Sequence, residues 1–486
     1  MSSLETKKVG SIDSSLAAAA EDHSLVSVPQ EDRKSGFVLA ISPLSVATAL
    51  VIFGLTGFSV FLAGFKVGLL AGVIVGTVGF LVSRGVGMLA FKTGMSSTLN
   101  SRFFGLGFKG SSIASAIVAF LILGFLAVES ALLYEGTILM MNLEDTWPTR
   151  IIIYGLMTAA WILLAIFGLK FTIRTSGIMI VATLLIALYL LYQIYFVQGA
   201  SVQDVVNFEG VVPGGTWPRL EAALGVVGAL GGSIALNSSD FARYCRTKKD
   251  VTILAVAGPI MMNVIMTVLG SLIVIGGMPA VGEYLMARNS GLSPQEASEM
   301  ASGYIMDNTG AFFVIFAGWL GFLTIYAAQA KAQAINAYIG SLSLVNLLEV
   351  LFRWKPGRAW MVVAGNGIAL LMIILGIAGN FSQYLAYLGC LTFSLAGIMI
   401  ADYYIVRKRQ FDGVHETVEN WNMAGIATLV IAAAIGATLM VTGIVPLGFY
   451  ISLVLSLILY PVLRKAMPKG TGTSFAGAED VAHEAV

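Results

Sequence analysis

The sequence predicts an all-α polytopic membrane protein with twelve transmembrane helices. First, 57% of its 486 residues are hydrophobic and only 11% are charged, far from the balance of a soluble globular chain. Second, apolar runs long enough to cross a bilayer, about 20 residues each, recur along the whole chain. Third, ten-residue segments of alternating polarity are missing, so an outer-membrane barrel does not fit, and a helical bundle is the other way to satisfy backbone polar groups in lipid.

In chain order the runs cover 40–65, 68–91, 111–140, 150–169, 175–197, 221–240, 251–277, 311–345, 360–379, 382–405, 423–443 and 445–463. With the N-terminus in the cytoplasm, 22 of the 28 Lys and Arg fall in tails and cytoplasmic loops, four fall outside and two, Arg84 and Lys331, lie within spans. The positive-inside rule therefore puts both termini in the cytoplasm, as an even number of spans requires. The expected organisation is a cytoplasmic tail (1–36), a core of ten spans (37–405), a loop with spans 11 and 12 (406–464), and a second cytoplasmic tail (465–486). Both tails are polar and expected to be unstructured, and the first has no apolar core or cleavage site of a signal peptide. The expected location is a bacterial inner membrane.

Two cysteines, Cys245 and Cys390, are too few for a disulfide framework and too isolated for a metal site. His23, His415 and His483 fall in tails or a loop, so neither a catalytic triad nor a histidine relay within the membrane is expected. No P-loop, HExxH, CxxC or strand-linked GxGxxG occurs. These absences point away from enzymes and ATP-driven pumps; no cofactor and no metal are expected. The net charge of +1 suggests no nucleic-acid partner.

Interruptions in the helices carry more information. The first span contains "FGLTGFSVFLAGF" (Phe53–Phe65) and the sixth "GVVGALGGSIALNSSDF" (Gly225–Phe241), both broken by glycines near mid-membrane. Matched breaks in spans one and six of a chain whose first ten spans divide five and five point to an inverted-repeat transporter with broken helices around its substrate. The alternative is that these glycines only let helices pack closely.

Several stretches carry a family resemblance: "VPQEDRKSG" (Val28–Gly36), "GLTGFS" (Gly54–Ser59), "FKTGMSSTLNSRFFGLGFKGS" (Phe91–Ser111), "SSDFARYCR" (Ser238–Arg246) and "IADYYIVRKRQFD" (Ile400–Asp412). In this order they resemble the nucleobase:cation symporter-1 family, most closely its purine/cytosine permease branch. The resemblance implies a leucine-transporter-like fold of five-plus-five inverted repeats with two further helices. It also implies alternating access, and a cytosine-, purine- or hydantoin-like substrate held at mid-bilayer among spans 1, 3, 6 and 8. Phe58, in the glycine-rich stretch of span 1, belongs to the expected substrate-binding set.

In the third span Phe125 and Glu129 are four residues apart and share a helix face. The resemblance places Phe125 where cytosine permeases carry an aromatic that stacks on the base, with Glu129 positioned to accept hydrogen bonds from ring or exocyclic NH groups. An ionisable residue in the membrane costs roughly 2.5–3.5 kcal/mol on insertion scales and is functional by default; Glu129 is thus a candidate proton carrier as well as a ligand. Glu135, nearer the outside, is expected to be solvated. In the sixth span Ser233 matches a substrate-facing serine, and Gly231 stands where that branch has a bulky aromatic, which would widen the pocket. Asp240 and Arg243, three apart, are expected to form a structural or gating pair.

The eighth span contains "IYAAQAKAQAINAY" (Ile325–Tyr338), in which Gln329, Gln333 and Asn336 follow i, i+4, i+7 spacing. That face is expected to line the pocket, because amides in hydrocarbon need partners. Sodium-coupled members of the family place Ser and Thr hydroxyls here to complete a sodium site; the corresponding positions are Ala330, Lys331 and Ala332. A hard cation needs oxygen ligands, and this set offers none. Two readings of Lys331 follow: its ammonium replaces the coupling cation by donating to the first-span backbone carbonyls that would complete the sodium site, either permanently or with a proton bound and released during the cycle, or it pairs with Glu129 as a structural ion pair.

Arg84 is expected to snorkel. "SPQEAS" reads as the start of an outer helix, with Ser293 as N-cap and Pro294 at the first helical position. The resulting expectation is a secondary importer of a nucleobase-like heterocycle, coupled to protons rather than sodium, monomeric or weakly oligomeric in the bilayer. Hydantoin, allantoin or a thiamine-precursor pyrimidine are alternative substrates. A channel for a polar solute would need a continuous polar stripe, and the polar groups cluster at mid-depth instead.

Overall fold

The structure is a computed structural model and describes residues 27–473 without 168, 355 and 412–416. His23, His415, His483 and most of both expected tails lie outside the described residues. Every one of the twelve apolar runs forms helix. Among the described residues ten helices are long and apolar enough to cross a membrane, one further candidate is a pair bent by 63°, and one run gives the shorter helix Arg358–Ile374.

The bent pair is α1 (Gly36–Ala47) and α2 (Leu50–Ala63). It is followed by α3 (Phe65–Thr93), the short α4 (Ser97–Phe103), α5 (Ser111–Met141), α6 (Trp147–Ile166), α7 (Leu169–Tyr192) and the short α8 (Val202–Asn207). Next come α9 (Thr216–Val227) and α10 (Leu230–Ala242), then α11 (Lys248–Ile260) and α12 (Met266–Arg288), which a π-helical turn joins at Met261–Ile265. After α13 (Pro294–Asp307) and the long α14 (Gly310–Phe352) come α15 (Arg358–Ile374), α16 (Phe381–Ile400), α17 (Met423–Val441) and α18 (Gly448–Ala466).

The sequence explains the main joints. Ser293 accepts from Glu296 N at 3.3 Å while the Glu296 carboxylate accepts from Ser293 N at 2.8 Å, so α13 starts on the capping box that "SPQEAS" implies. Thr247 and Asp250 start α11 in the same way. Within α14, Gly318 has φ 52° and ψ −131°, a conformation a residue with a Cβ would resist, and the helix kinks there.

The glycines of the first span do not break it. Gly54 and Gly57 lie inside the continuous helix α2, and a Cβ on them would meet Thr309 Oγ1 at 2.5 Å and Val274 Cγ2 at 3.0 Å. They serve close packing against neighbouring helices. The break instead falls at Thr48 and Ala49. Between α9 and α10 only Gly228 and Ala229 intervene, both near right-handed helical geometry, so the sixth span bends far less than the first.

α5 and α10 are among the most buried elements: α14 packs along α5, and α10 lies against α3 and α16. Outer helices turn large apolar side chains outward, such as Leu156, Leu163 and Phe196, as lipid-facing surfaces do. Residues 28–36 are not a free tail: Val28 N donates to Gly94 O at 2.9 Å, Lys34 N to Tyr244 O at 2.7 Å, and Arg246 Nε to Arg33 O at 2.7 Å. At the other end Gly472–Thr473 pairs antiparallel with Val418–Glu419, and Phe108 N donates to Glu419 O at 2.7 Å. Both described ends therefore pack on one face of the bundle, beside the α3–α5 connection. Arg84 reaches Thr252 Oγ1 at 3.3 Å from an exposed position, and Cys245 and Cys390 are buried free thiols.

Candidate functional site

The α1–α2 break leaves carbonyls at the end of one helix and amides at the start of the next, and buried backbone groups need partners. Residues of α14 supply them. Lys331 Nζ donates to Ser45 O at 2.9 Å, Thr48 O at 3.3 Å and Thr48 Oγ1 at 2.8 Å. Gln329 Oε1 accepts from Leu50 N at 3.2 Å, while its Nε2 donates to Glu129 O on α5 at 3.1 Å. The ammonium sits at the C-terminal, negative end of α1, where a cation is favoured. Lys331 and Gln329 are both fully buried.

Beside this joint, Asn336 Nδ2 donates to Glu129 Oε2 at 3.2 Å, and Gln333 Nε2 donates to Leu126 O at 2.9 Å and Ser130 Oγ at 2.8 Å. The three amides at i, i+4 and i+7 thus share one face, as their spacing predicts, and that face meets α5. Glu129 makes no ion pair with Lys331: its carboxylate bonds to Asn336, and the ammonium turns to α1. Three oxygens in this cluster are buried without hydrogen bonds, namely Glu129 Oε1, Gln333 Oε1 and Asn336 Oδ1; Asn237 Oδ1 and Ser238 Oγ on α10 are in the same condition.

The other expected ligands are placed differently. Phe125 is buried one turn from Glu129 and meets Phe381 edge to face, with centroids 5.3 Å apart. Phe58 is not joined to the cluster; its ring stacks on Phe61, which stacks in turn on Phe208. Ser233 is buried and bonds back to Ala229 O at 3.3 Å. The room expected beside Gly231 is filled: a Cβ there would lie 3.2 Å from Phe393 Cζ and 3.5 Å from Gly79 N, so this glycine serves the contact of α10 with α3 and α16.

A cavity of about 770 Å³ opens on the face opposite the chain ends. Val51, Val128 and Phe381, neighbours of the cluster in sequence or by contact, line it, together with Tyr134, Tyr154 and Trp147. Glu135 and Asp307 line it too, and Glu135 is only partly exposed there. Arg150 Nε donates to Asp145 Oδ1 at 2.6 Å, and Tyr134 OH donates to the same oxygen at 2.6 Å. These hydrogen bonds, Arg150 first, hold the loop carboxyl of Asp145 down at about 2.

On the tail face the bundle is closed by buried polar contacts. Asp240 Oδ1 accepts from Ser97 N at 2.6 Å at the start of α4. Arg243 donates to Asp240 O at 3.1 Å and to Tyr338 OH at 3.0 Å, tying α10 to α14. Arg102 bonds to Asn346 and Glu349 of α14. A second cavity of about 540 Å³ on this face contains Arg407 and Arg464, which already face Asp402 and Glu419.

No family model matches the chain. It is 24% identical over 372 residues to the hydantoin permease of Microbacterium maritypicum, an alignment spanning 71% of this chain and 69% of the permease. Its structure superposes on the inward-facing conformation of Mhp1 with a TM-score of 0.68 at 19% identity, over 95% of this chain and 97% of Mhp1. Mhp1 in its closed, bromovinylhydantoin-bound form, described as a nucleobase-cation-symport-1 family transporter, gives 0.66 at 18% identity over 95% and 99%. The resemblance to nucleobase:cation symporter-1 proteins holds in sequence and in fold. A sodium-coupled sialic acid symporter shares the fold more distantly, with a TM-score of 0.64 at 10% identity over 95% and 97% of the two chains.

Against that shared fold, the residues that sequence reasoning missed are those at the α1 joint. Ser45 and Thr48 carry no charge and sit in an ordinary apolar stretch, and only their distance to Lys331 marks them. Asn237 and Ser238 were visible as polar residues in a membrane segment. Arg102 and Tyr338 were within reach of the same argument, since a buried arginine needs a partner.

Proposed function

We propose that the chain is a secondary active transporter of the nucleobase:cation symporter-1 kind, importing a nucleobase-like heterocycle by alternating access and coupled to protons rather than sodium. The observation that carries this reading is the three-point attachment of the Lys331 ammonium to Ser45 and Thr48 at the α1–α2 break. An ammonium there supplies one positive charge to the α1 carbonyls, and those oxygens are then occupied by N–H donors rather than open to a hard cation. Losing the proton removes the charge and weakens the attachment, so proton release frees the bent pair from α14. That is the event a coupling ion has to control.

The positive-inside pattern assigns the tail face to the cytoplasm and the larger cavity to the outside. Substrate entering from that cavity reaches Leu132 and then the cluster around Glu129, three residues deeper along α5. Ring stacking falls to Phe125 and edge recognition to Glu129, Gln333 and Asn336; Asp240, Arg243 and Arg102 hold the inner side shut. The five-plus-five repeat suits this division, with the bent first span in one half and α10 in the other.

The test is Lys331→Thr in reconstituted vesicles. The proposal expects wild-type uptake to be equal in sodium and in choline, and expects the variant to lose proton-driven uptake. Sodium-dependent wild-type uptake would contradict it. A second reading, transport of a hydantoin, is favoured by the identity shared with the hydantoin permease.

A further inference from the structure

We infer that the transported ring presents an exocyclic amino group beside a ring N–H, a donor–donor edge, to the cluster between α5 and α14. The inference rests on the transport reading and narrows its substrate class. The three buried oxygens without hydrogen bonds in the cluster are all acceptors: Glu129 Oε1, Gln333 Oε1 and Asn336 Oδ1. Gln333 has both amide hydrogens committed, to Leu126 O and Ser130 Oγ, while Asn336 commits one to Glu129 Oε2 and keeps the other, so acceptors outnumber free donors in the cluster. These bonds also fix which end of each amide is oxygen. A protonated Glu129 would lose one acceptor, yet Gln333, oriented by Leu126 O and Ser130 Oγ, would keep its polarity.

Buried acceptors left unmatched are costly, and a ligand oxygen facing them makes matters worse. A dioxo ring such as uracil or hydantoin alternates N–H and C=O and offers single donors flanked by oxygens. A ring with an amino group next to a ring N–H, as in isocytosine or the corresponding edge of guanine, brings adjacent donors that a carboxylate and an amide oxygen can share. The entry path has the same bias. Glu135 and Asp307 line the outer cavity with Arg150, whose guanidinium is engaged by Asp145, and among the described residues neither of the two lining carboxylates has a hydrogen-bond or ion-pair partner. Beside the aromatic walls they draw donors and cations inward and disfavour anions.

The experiment compares isocytosine with uracil, which differ by amino against oxo at one ring carbon, for binding to purified full-length protein and for uptake into vesicles. Isocytosine is expected to bind about 10- to 100-fold more tightly, the range for leaving one such group unmatched. Glu129→Gln puts an amide donor in place of an acceptor and is expected to abolish or reverse the preference. Gln333→Met removes one acceptor and is expected to weaken isocytosine binding more than uracil binding. The unliganded melting transition of each variant reports whether it folds. Uracil binding as tightly as isocytosine to the wild type, or an unchanged preference in a folded Glu129→Gln protein, overturns the inference and leaves transport of heterocycles standing. Binding and uptake of neither ring, nor of hydantoin, overturns the transport reading with it.

Discussion

A single charge decides most of the account at the residue level. Lys331 was legible in the sequence because a lysine within an apolar run is costly and needs a reason; its partners were not, because they lie more than 280 positions away and are two backbone carbonyls and one threonine hydroxyl. Lys331→Ala leaves Thr48 O without a donor and Ser45 O with only the long bond from Thr48 Oγ1 at 3.5 Å, and we expect a loss of roughly 1–3 kcal/mol, read as a lower melting temperature in detergent. A variant as stable as the wild type would show that the ammonium does not hold the joint. Arg102 makes a stronger case for structure alone: it is buried and faces Glu349 and Asn346. Truncating it to Ala strands a partly buried carboxylate, and a cost of about 3–5 kcal/mol is expected from the same melting measurement. Glu129 and the amides of α14 were readable from type and spacing. Phe58 and the space beside Gly231 were misjudged because sequence spacing says which face a residue shares and not what fills the space opposite.

The same lesson recurs among the helices. Long apolar runs specify their own helices, and the twelve runs were recovered because hydropathy and length decide them. Breaks are set by tertiary partners. Glycines pointed to Phe53–Phe65, yet the first span bends at Thr48, where Lys331 and Gln329 can satisfy the opened backbone. The glycines mostly buy proximity between helices. Gly72 on α3 would place a Cβ 2.1 Å from Asn263 O, whereas a Cβ on Gly155 of α6 would meet nothing within 4 Å. Gly72→Ala is therefore expected to destabilise by about 1–3 kcal/mol, and Gly155→Ala to be neutral or stabilising by up to about 1 kcal/mol. Melting curves of the two variants check the contrast, and equal effects would argue against the close approach of α3 to the Met261–Ile265 turn.

For the whole molecule, the cavity of about 770 Å³ opens on one face and the buried polar contacts close the other, the arrangement that the proposed import requires. Cysteines replacing Ile151 or Asp307 are expected to react with a membrane-impermeant thiol reagent from the side opposite the chain ends, and a cysteine replacing Asn346 is expected to stay protected. Asp145 at the cavity rim, held near 2, contributes its tie to Arg150 and Tyr134 above the unfolded value of about 3.9 and loses it as pH falls toward 2. Asp145→Asn should leave the shape of any uptake profile between about pH 5 and 8 unchanged. The proposed coupling then has to come from the membrane interior. Its most direct measurement is proton movement in sodium-free vesicles containing the wild-type protein, followed with an entrapped pH dye as substrate is added outside. The account predicts acidification of the lumen that depends on substrate and disappears in Lys331→Thr. Uptake without any proton movement, or uptake that begins only when sodium is supplied, would contradict it.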